Sequence, residues 1–264
     1  MRQSRGAALL NCIKDQTGMT RIFILAGQSN MAGAGISTEL PEWYLQTPEQ
    51  VKLFEDGEYR EFAYGKTFGP EIGFAHEIAQ VYPDDTIILC KVACGGANLY
   101  YDWNPDGVSR GPEDVYRGPL YPKLLNTLKQ IIDGLHERKI EPVVSGMLWM
   151  QGERDAVFDF MAETYEQNLQ AFIACIRRDT SAAELPFIMG QICPRVINPE
   201  TGEYNHRWRR TVQAAQQQVA KTDRTVLLVP TDDVPQSDNL HFNTAGLLEL
   251  GKRYARIYAL ESRL

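Results

Sequence analysis

The chain has 264 residues, a formal net charge of −7 and 44% hydrophobic residues, which is the composition of an ordinary globular protein. The acidic balance argues against a nucleic-acid partner or an acidic membrane surface, because both would require a basic face. No stretch reaches the roughly 18 apolar residues of a membrane-spanning helix.

The N-terminus is expected to be a flexible leader over residues 1–20, followed by a single domain over residues 21–264. The apolar run of the leader is too short for a clear secretion signal. The five cysteines show no C-x-x-C spacing and are predicted to be reduced thiols. Both observations favour a cytoplasmic location, although secretion stays open.

Along the chain, short apolar runs that predict strands alternate with segments whose apolar residues have helical spacing. The predicted strands are 21–26, 86–92, 143–150, 186–192 and 225–229, and the predicted helices are 71–81, 121–137, 162–178, 207–221 and 244–260. Thr244 is the expected N-cap of the last helix. Because helices separate the strands, we expect a five-stranded parallel sheet in a three-layer α/β/α sandwich of the flavodoxin-like type.

Polar or glycine-rich segments follow all five predicted strands. Ligands bind at the carboxyl ends of the strands in such sheets, so these segments are candidates for one shared site. The segment after the first strand is GQSNMAGAG at 27–35. It lacks the lysine of a phosphate-binding P-loop, breaks the dinucleotide-binding pattern, and has Met31 where the nucleophile elbow of α/β-hydrolases has glycine. The segment is therefore either a turn that carries an activated Ser29 or a plain turn.

A nucleophilic serine requires a base and a group that orients the base. Asp238 and His241 can supply both, because their spacing lets the carboxylate reach Nδ1 while Nε2 faces Ser29. Asp155 and the Asp232–Asp233 pair are alternative partners for the histidine. Taken alone, each of these residues has an ordinary structural explanation as a turn or surface residue.

Ester chemistry also requires hydrogen-bond donors for a developing oxyanion. The backbone N–H groups of Ser29, Gly95 and Gly96 are candidates, together with the side-chain amide of Gln151. Glycine suits this role because it lets the backbone approach a substrate closely.

Five segments of the chain together resemble the SGNH (GDSL-type) hydrolases, in the branch of sialate O-acetylesterases and plant-type acetylxylan esterases. They are IFILAGQSNMAGAG, GPEIGFAHEIA, VACGGANL, LWMQGERDA and DNLHFNTAG, between residues 22 and 246. The resemblance implies the SGNH fold and a serine esterase that removes acetyl groups from carbohydrates without a metal or other cofactor. It leaves the acetylated sugar and the oligomeric state open.

The resemblance also implies a role for each matching residue. Ser29 would be the nucleophile, His241 the base and Asp238 the partner of the base. Gly95 or Gly96 and Gln151 would be oxyanion donors, and Glu153 would support the histidine or order its loop. Gln151 stands where the wider superfamily has asparagine, and the acetylesterase branch similarly has glutamine. Independently of the resemblance, Trp103 and Trp208 could contact substrate or simply pack against the protein, and Arg195 could bind a substrate carboxylate or form a surface salt bridge. Another SGNH activity, such as a lysophospholipase or thioesterase, and a non-catalytic carbohydrate-binding relative are the alternatives.

Overall fold

The structure is a computed structural model that describes residues 18–62, 65–105, 118–193 and 207–262. Most of the predicted leader and the candidate Arg195 therefore lie outside the described residues. The strands are β1 (Thr20–Gly27), β2 (Gly35–Ile36), β3 (Val51–Glu55), β4 (Glu58–Arg60), β5 (Thr67–Phe68), β6 (Thr86–Ala93), β7 (Pro142–Met150), β8 (Phe187–Gly190) and β9 (Val226–Val229).

A seven-stranded sheet in the order β4-β3-β6-β1-β7-β8-β9 forms the centre of the fold, and β2 pairs only with β5. The strands from β3 to β9 in this order run parallel, and β4 is antiparallel at the edge. The five predicted strands correspond to β1, β6, β7, β8 and β9, and their order is the flavodoxin-like one. The α/β class is therefore confirmed.

The prediction of five strands is wrong, because β3 and β4 extend the sheet beyond β6. The two strands form a hairpin in which Glu55 pairs with Glu58 across a two-residue turn. In that turn Asp56 has φ 52° and Gly57 has φ 82°. An Asp-Gly pair with both φ angles positive is a favoured hairpin turn, so the sequence did contain the signal.

The helices lie close to their predicted positions, with two corrections. The predicted helix 162–178 is in fact two helices that meet at Thr164. The last helix is capped by Asn243 rather than Thr244, because the Asn243 side chain accepts the Gly246 N–H at 2.9 Å. Thr244 is already helical and instead accepts the Ile36 N–H. The helices are α1 (Ser29–Ala32), α2 (Glu71–Val81), α3 (Leu120–His136), α4 (Asp159–Glu163), α5 (Tyr165–Asp179), α6 (Arg209–Thr222) and α7 (Thr244–Glu261).

Helices cover both faces of the sheet, which gives the expected three layers. On one face, Phe23 of β1 packs edge-on against Phe74 of α2 and Tyr258 of α7, with ring centroids 5.1 and 5.0 Å apart. On the other face, Trp149 of β7 packs against Phe172 of α5 at 4.6 Å. Within the ranges given above, no helix is long and apolar enough to cross a membrane.

The strand order reverses direction at β1, which lies between β6 and β7. This is the place where open α/β sheets bind ligands. Gly27 ends β1 with φ 150°, and a Cβ there would lie 2.0 Å from the Met150 carbonyl oxygen, so no larger residue fits. The next residue, Gln28, donates its N–H to that same oxygen at 2.9 Å. The close approach of β1 and β7 therefore places Ser29 at the reversal point.

Candidate active site

Ser29, His241 and Asp238 lie in hydrogen-bonded order at this edge of the sheet. The Ser29 Oγ is 3.1 Å from His241 Nε2, and His241 Nδ1 is 2.9 Å from Asp238 Oδ2. Asp238 Oδ1 also accepts the backbone N–H groups of Leu240 and His241, each at 2.6 Å. Burial alone would raise the pKa of Asp238, but these hydrogen bonds outweigh it and the pKa is lowered. An ionised Asp238 keeps the proton on Nδ1 and leaves Nε2 free to accept the serine proton.

Three backbone N–H groups near Ser29 are available to a ligand. Those of Ser29, Gly95 and Gly96 donate no hydrogen bond to any residue that the structure describes. A Cβ on either glycine would meet nothing within 4 Å, so both glycines border open space. Unpaired N–H groups beside open space are what an oxyanion site requires, and the assignment of that role stays a prediction.

Gln151 is fully buried beneath the site rather than exposed in it. Its side-chain nitrogen donates to the Ala97 carbonyl at 3.1 Å and to Asp155 Oδ2 at 2.5 Å, and its oxygen accepts the Tyr165 hydroxyl at 3.0 Å. Gln151 thus joins the loop after β6 to the loop after β7. Its role as an oxyanion donor stays a prediction, and would require the substrate to replace one of those two acceptors.

Asp155 is fully buried and is directed at Gln151 and the loop after β6 rather than at the histidine. Its carboxylate accepts the backbone N–H groups of Leu99 and Tyr100 as well as the Gln151 amide. Burial raises the pKa of Asp155 to about 7, although these hydrogen bonds act in the opposite direction. Asp233, in the other alternative pair, is bound to Arg253 at 2.7 Å.

We expect Asp155→Asn to lower the free energy of unfolding by about 1–3 kcal/mol, because an amide cannot accept all of these N–H groups. The penalty should be larger at pH 5 than at pH 8. The raised pKa means that the folded state binds a proton that the unfolded state releases, so this contribution to stability is lost as pH rises from about 4 to about 7.

Chemical denaturation of both proteins at the two pH values measures this difference. Comparison at equal pH cancels the titration of all other groups, provided that they are unchanged by the substitution. An equal penalty at pH 5 and pH 8 would show that Asp155 titrates near its ordinary value.

Asn30, which the sequence analysis did not single out, connects three parts of the site. Its side-chain nitrogen donates to Glu153 Oε1 at 2.7 Å and to the Leu240 carbonyl at 3.0 Å, and its oxygen accepts the Phe242 N–H at 3.0 Å. Glu153 is buried, and burial raises the pKa of its carboxyl despite the opposing charge of Arg209. Only the position of Asn30 directly after Ser29 indicated a role.

The exposed aromatic residues that follow β7 differ from the aromatic residues that were candidates for substrate contact. Trp103 has no exposed surface and packs against Trp149 in the core, with ring centroids 5.3 Å apart, which agrees with the packing alternative and not with substrate contact. Trp208 is partly buried against the core. Phe158 and Phe160, in the segment after β7, are 39% and 43% exposed and were not predicted.

Residues 19–260 match the model of a family described as "Carbohydrate esterase, sialic acid-specific acetylesterase". The class of protein is therefore that of the carboxylic ester hydrolases that act on acetylated carbohydrates. The chain belongs to the sialic acid-specific acetylesterase family, which confirms the branch predicted from its motifs. A probable carbohydrate esterase of Arabidopsis thaliana is 26% identical in an alignment 262 positions long that covers 90% of each chain.

Solved structures show the same fold at lower sequence identity. An Arabidopsis thaliana protein has a TM-score of 0.70 at 23% identity and covers 90% of this chain and 97% of its own. A carbohydrate acetylesterase from Xanthomonas citri has a TM-score of 0.70 at 18% identity, over 92% of this chain and 57% of its own. NanS has a TM-score of 0.67 at 15% identity, over 94% of this chain and 99% of its own.

Proposed function

We propose that this protein removes O-acetyl groups from carbohydrates, with acetylxylan or a related acetylated sugar as substrate, through a Ser29-His241-Asp238 triad. The observation that carries the proposal is the hydrogen-bonded order of the three side chains at the reversal point of the sheet. Family membership supports the acetylated-carbohydrate class of substrate.

In the first half of the reaction, His241 Nε2 takes the hydroxyl proton of Ser29 as Oγ attacks the acetyl carbonyl carbon. The negative charge that develops on the carbonyl oxygen is stabilised by the N–H groups of Ser29 and of Gly95 or Gly96. The bond from carbon to the sugar oxygen then breaks. His241 returns the proton to that oxygen, and the deacetylated sugar leaves.

In the second half, water attacks the acetyl group on Ser29 while His241 Nε2 takes a proton from the water. The bond between carbon and Oγ breaks, acetate leaves, and the proton returns to Ser29. Asp238 stabilises the imidazolium that forms in each half, because its lowered pKa keeps it ionised.

The surface beside the site supports a sugar substrate. Phe158 and Phe160 expose two rings whose centroids are 5.8 Å apart and whose planes differ by 33°, and the Arg154 guanidinium lies 5.6 Å from the Phe158 ring. The Arg154 backbone N–H donates to the side chain of Gln28, the residue before Ser29. Aromatic rings offer an apolar face against which a sugar ring can pack, and a guanidinium can bind the carboxylate of an acidic sugar.

Sialate O-acetylesterase activity is the second candidate, because the family model is described as specific for sialic acid. A sialic acid carries a carboxylate, which the exposed Arg154 could bind in bidentate fashion.

Acetate release from p-nitrophenyl acetate, acetylated xylan and O-acetylated sialic acid tests the proposal, with p-nitrophenyl octanoate as a lipid-like control. We expect turnover of p-nitrophenyl acetate and of at least one carbohydrate, and the better carbohydrate decides between the two candidates. Turnover of the octanoate alone, or of none of the four, would overturn the proposal.

A further inference from the structure

His241 and its partner Asp238 lie on a loop in which Phe242 is buried but their own side chains are not. The side chains of Asp238 and His241 retain 55% and 29% of their exposure. The position of the imidazole relative to Ser29 therefore depends on what fixes the loop backbone. Two of the fixed points are the Leu240 carbonyl and the Phe242 N–H, one residue before and one residue after the histidine.

A single side chain binds both of these points. Asn30 has no exposed surface, and its amide reaches the Leu240 carbonyl through its nitrogen and the Phe242 N–H through its oxygen. Asn30 directly follows Ser29 in α1. The backbone that carries the serine is therefore tied to the backbone on each side of the histidine through one rigid amide.

Glu153 determines which way that amide points. Its Oε1 accepts the second hydrogen of the Asn30 nitrogen at 2.7 Å, so the reversed orientation would place two oxygens against each other. Glu153 is 1% exposed and follows β7, and its second oxygen has no hydrogen-bond partner among the residues that the structure describes. The buried Arg209, whose Nε and Nη2 likewise have no partner within the described part of the chain, supplies the opposing charge.

We propose that Asn30 and Glu153 are positioning residues that set the distance between Ser29 Oγ and His241 Nε2, with Asn30 as the clamp and Glu153 as the group that orients it. The inference rests on the proposed function, in which His241 is the base. Neither residue contacts substrate in this account. Displacement of catalytic groups by about 1 Å can cost about 10²-fold in rate.

Kinetics on p-nitrophenyl acetate provide the first test. We expect Asn30→Ala to lower kcat by about 10²-fold and Glu153→Ala by about 10-fold, with KM within twofold of the wild-type value, because positioning and not binding is lost. Glu153→Gln retains an oxygen that can accept the Asn30 N–H, so it should keep kcat within about threefold.

Asp85→Ala is the matched control. Asp85 is a buried residue directly before β6, at the amino-terminal ends of the strands and thus across the sheet from the site. It accepts the Met19 N–H and binds Arg21. Its loss should lower the melting temperature without lowering kcat. A kcat for Asn30→Ala or Glu153→Ala within twofold of the wild type, or an equal loss of kcat in Asp85→Ala, would overturn the proposal.

NMR of the His241 imidazole in histidine-labelled protein gives a readout that does not require activity. We expect the Nδ1 proton bound to Asp238 to be protected from exchange in the wild type and in Asp85→Ala, and to be lost in Asn30→Ala. Equal protection in all three proteins would contradict the clamp. If the wild type hydrolyses no ester, the proposed function fails, and this spectrum alone still decides the inference.

Discussion

Ser29→Ala should hydrolyse p-nitrophenyl acetate at least about 10³-fold more slowly than the wild type, because the hydroxyl that forms the acetyl-enzyme is removed. The Ser29 Oγ is the atom that His241 Nε2 contacts at 3.1 Å, and alanine removes it without adding volume. The backbone N–H of residue 29 is retained, so the oxyanion donors stay in place. We therefore expect the loss to fall on kcat, with KM little changed. Steady-state kinetics measure both constants.

Ser262→Ala is the matched control, because Ser262 follows α7 at a distance from the site and makes only weak contacts there. It should retain the wild-type kcat. Labelling by a fluorophosphonate serine probe provides a second measurement, and the label should be present in Ser262→Ala and absent in Ser29→Ala. Near-normal turnover by Ser29→Ala would rule out this nucleophile.

The strands that are covered by helices on both of their faces were the most predictable part of the fold. A strand such as β6 is apolar apart from Thr86 and Lys91 and is buried along nearly its whole length, as expected for a central strand of a parallel sheet. The β3–β4 hairpin was missed for the opposite reason. Its strands are short and partly exposed, so their pattern is weak, and the informative residues are Asp56 and Gly57 in the turn.

The candidate site was predictable as far as residues close together in the sequence define it. Asp238 and His241 are three positions apart, so their contact follows from a single loop. The partners of Gln151 did not all follow. Asp155 is only four residues away, but Ala97 and Tyr165 are 54 and 14 residues away and reach it only after the loop after β6 and α5 have packed around it. An amide in a motif does not reveal which donors and acceptors will surround it.

The clamp by Asn30 was hidden by the same separation. Its three partners lie 123, 210 and 212 residues away along the chain, and an asparagine after a strand is usually an ordinary turn residue. Side chains that position other groups thus have no local pattern, whereas the groups that they position often do.

His241→Ala should reduce kcat on p-nitrophenyl acetate by about 10³-fold, close to the loss in Ser29→Ala, because the serine proton then has no acceptor. His241 Nε2 is the only ring or carboxylate atom with a hydrogen bond to Ser29 Oγ among the residues that the structure describes. Solvent water is a poor base at neutral pH and does not replace it.

The double variant Ser29→Ala/His241→Ala distinguishes a cooperating pair from two independent groups. If the residues act as one unit, the double variant should lose no more activity than either single variant, whereas independent contributions would multiply to about 10⁶-fold. Asp238→Ala in the same assay measures the contribution of the third residue. We expect its kcat to fall less than that of the other two variants, because 55% of the Asp238 side chain is exposed and solvent can partly replace the carboxylate. Multiplicative losses for Ser29 and His241 would show that the contact of 3.1 Å between them is not the proton path.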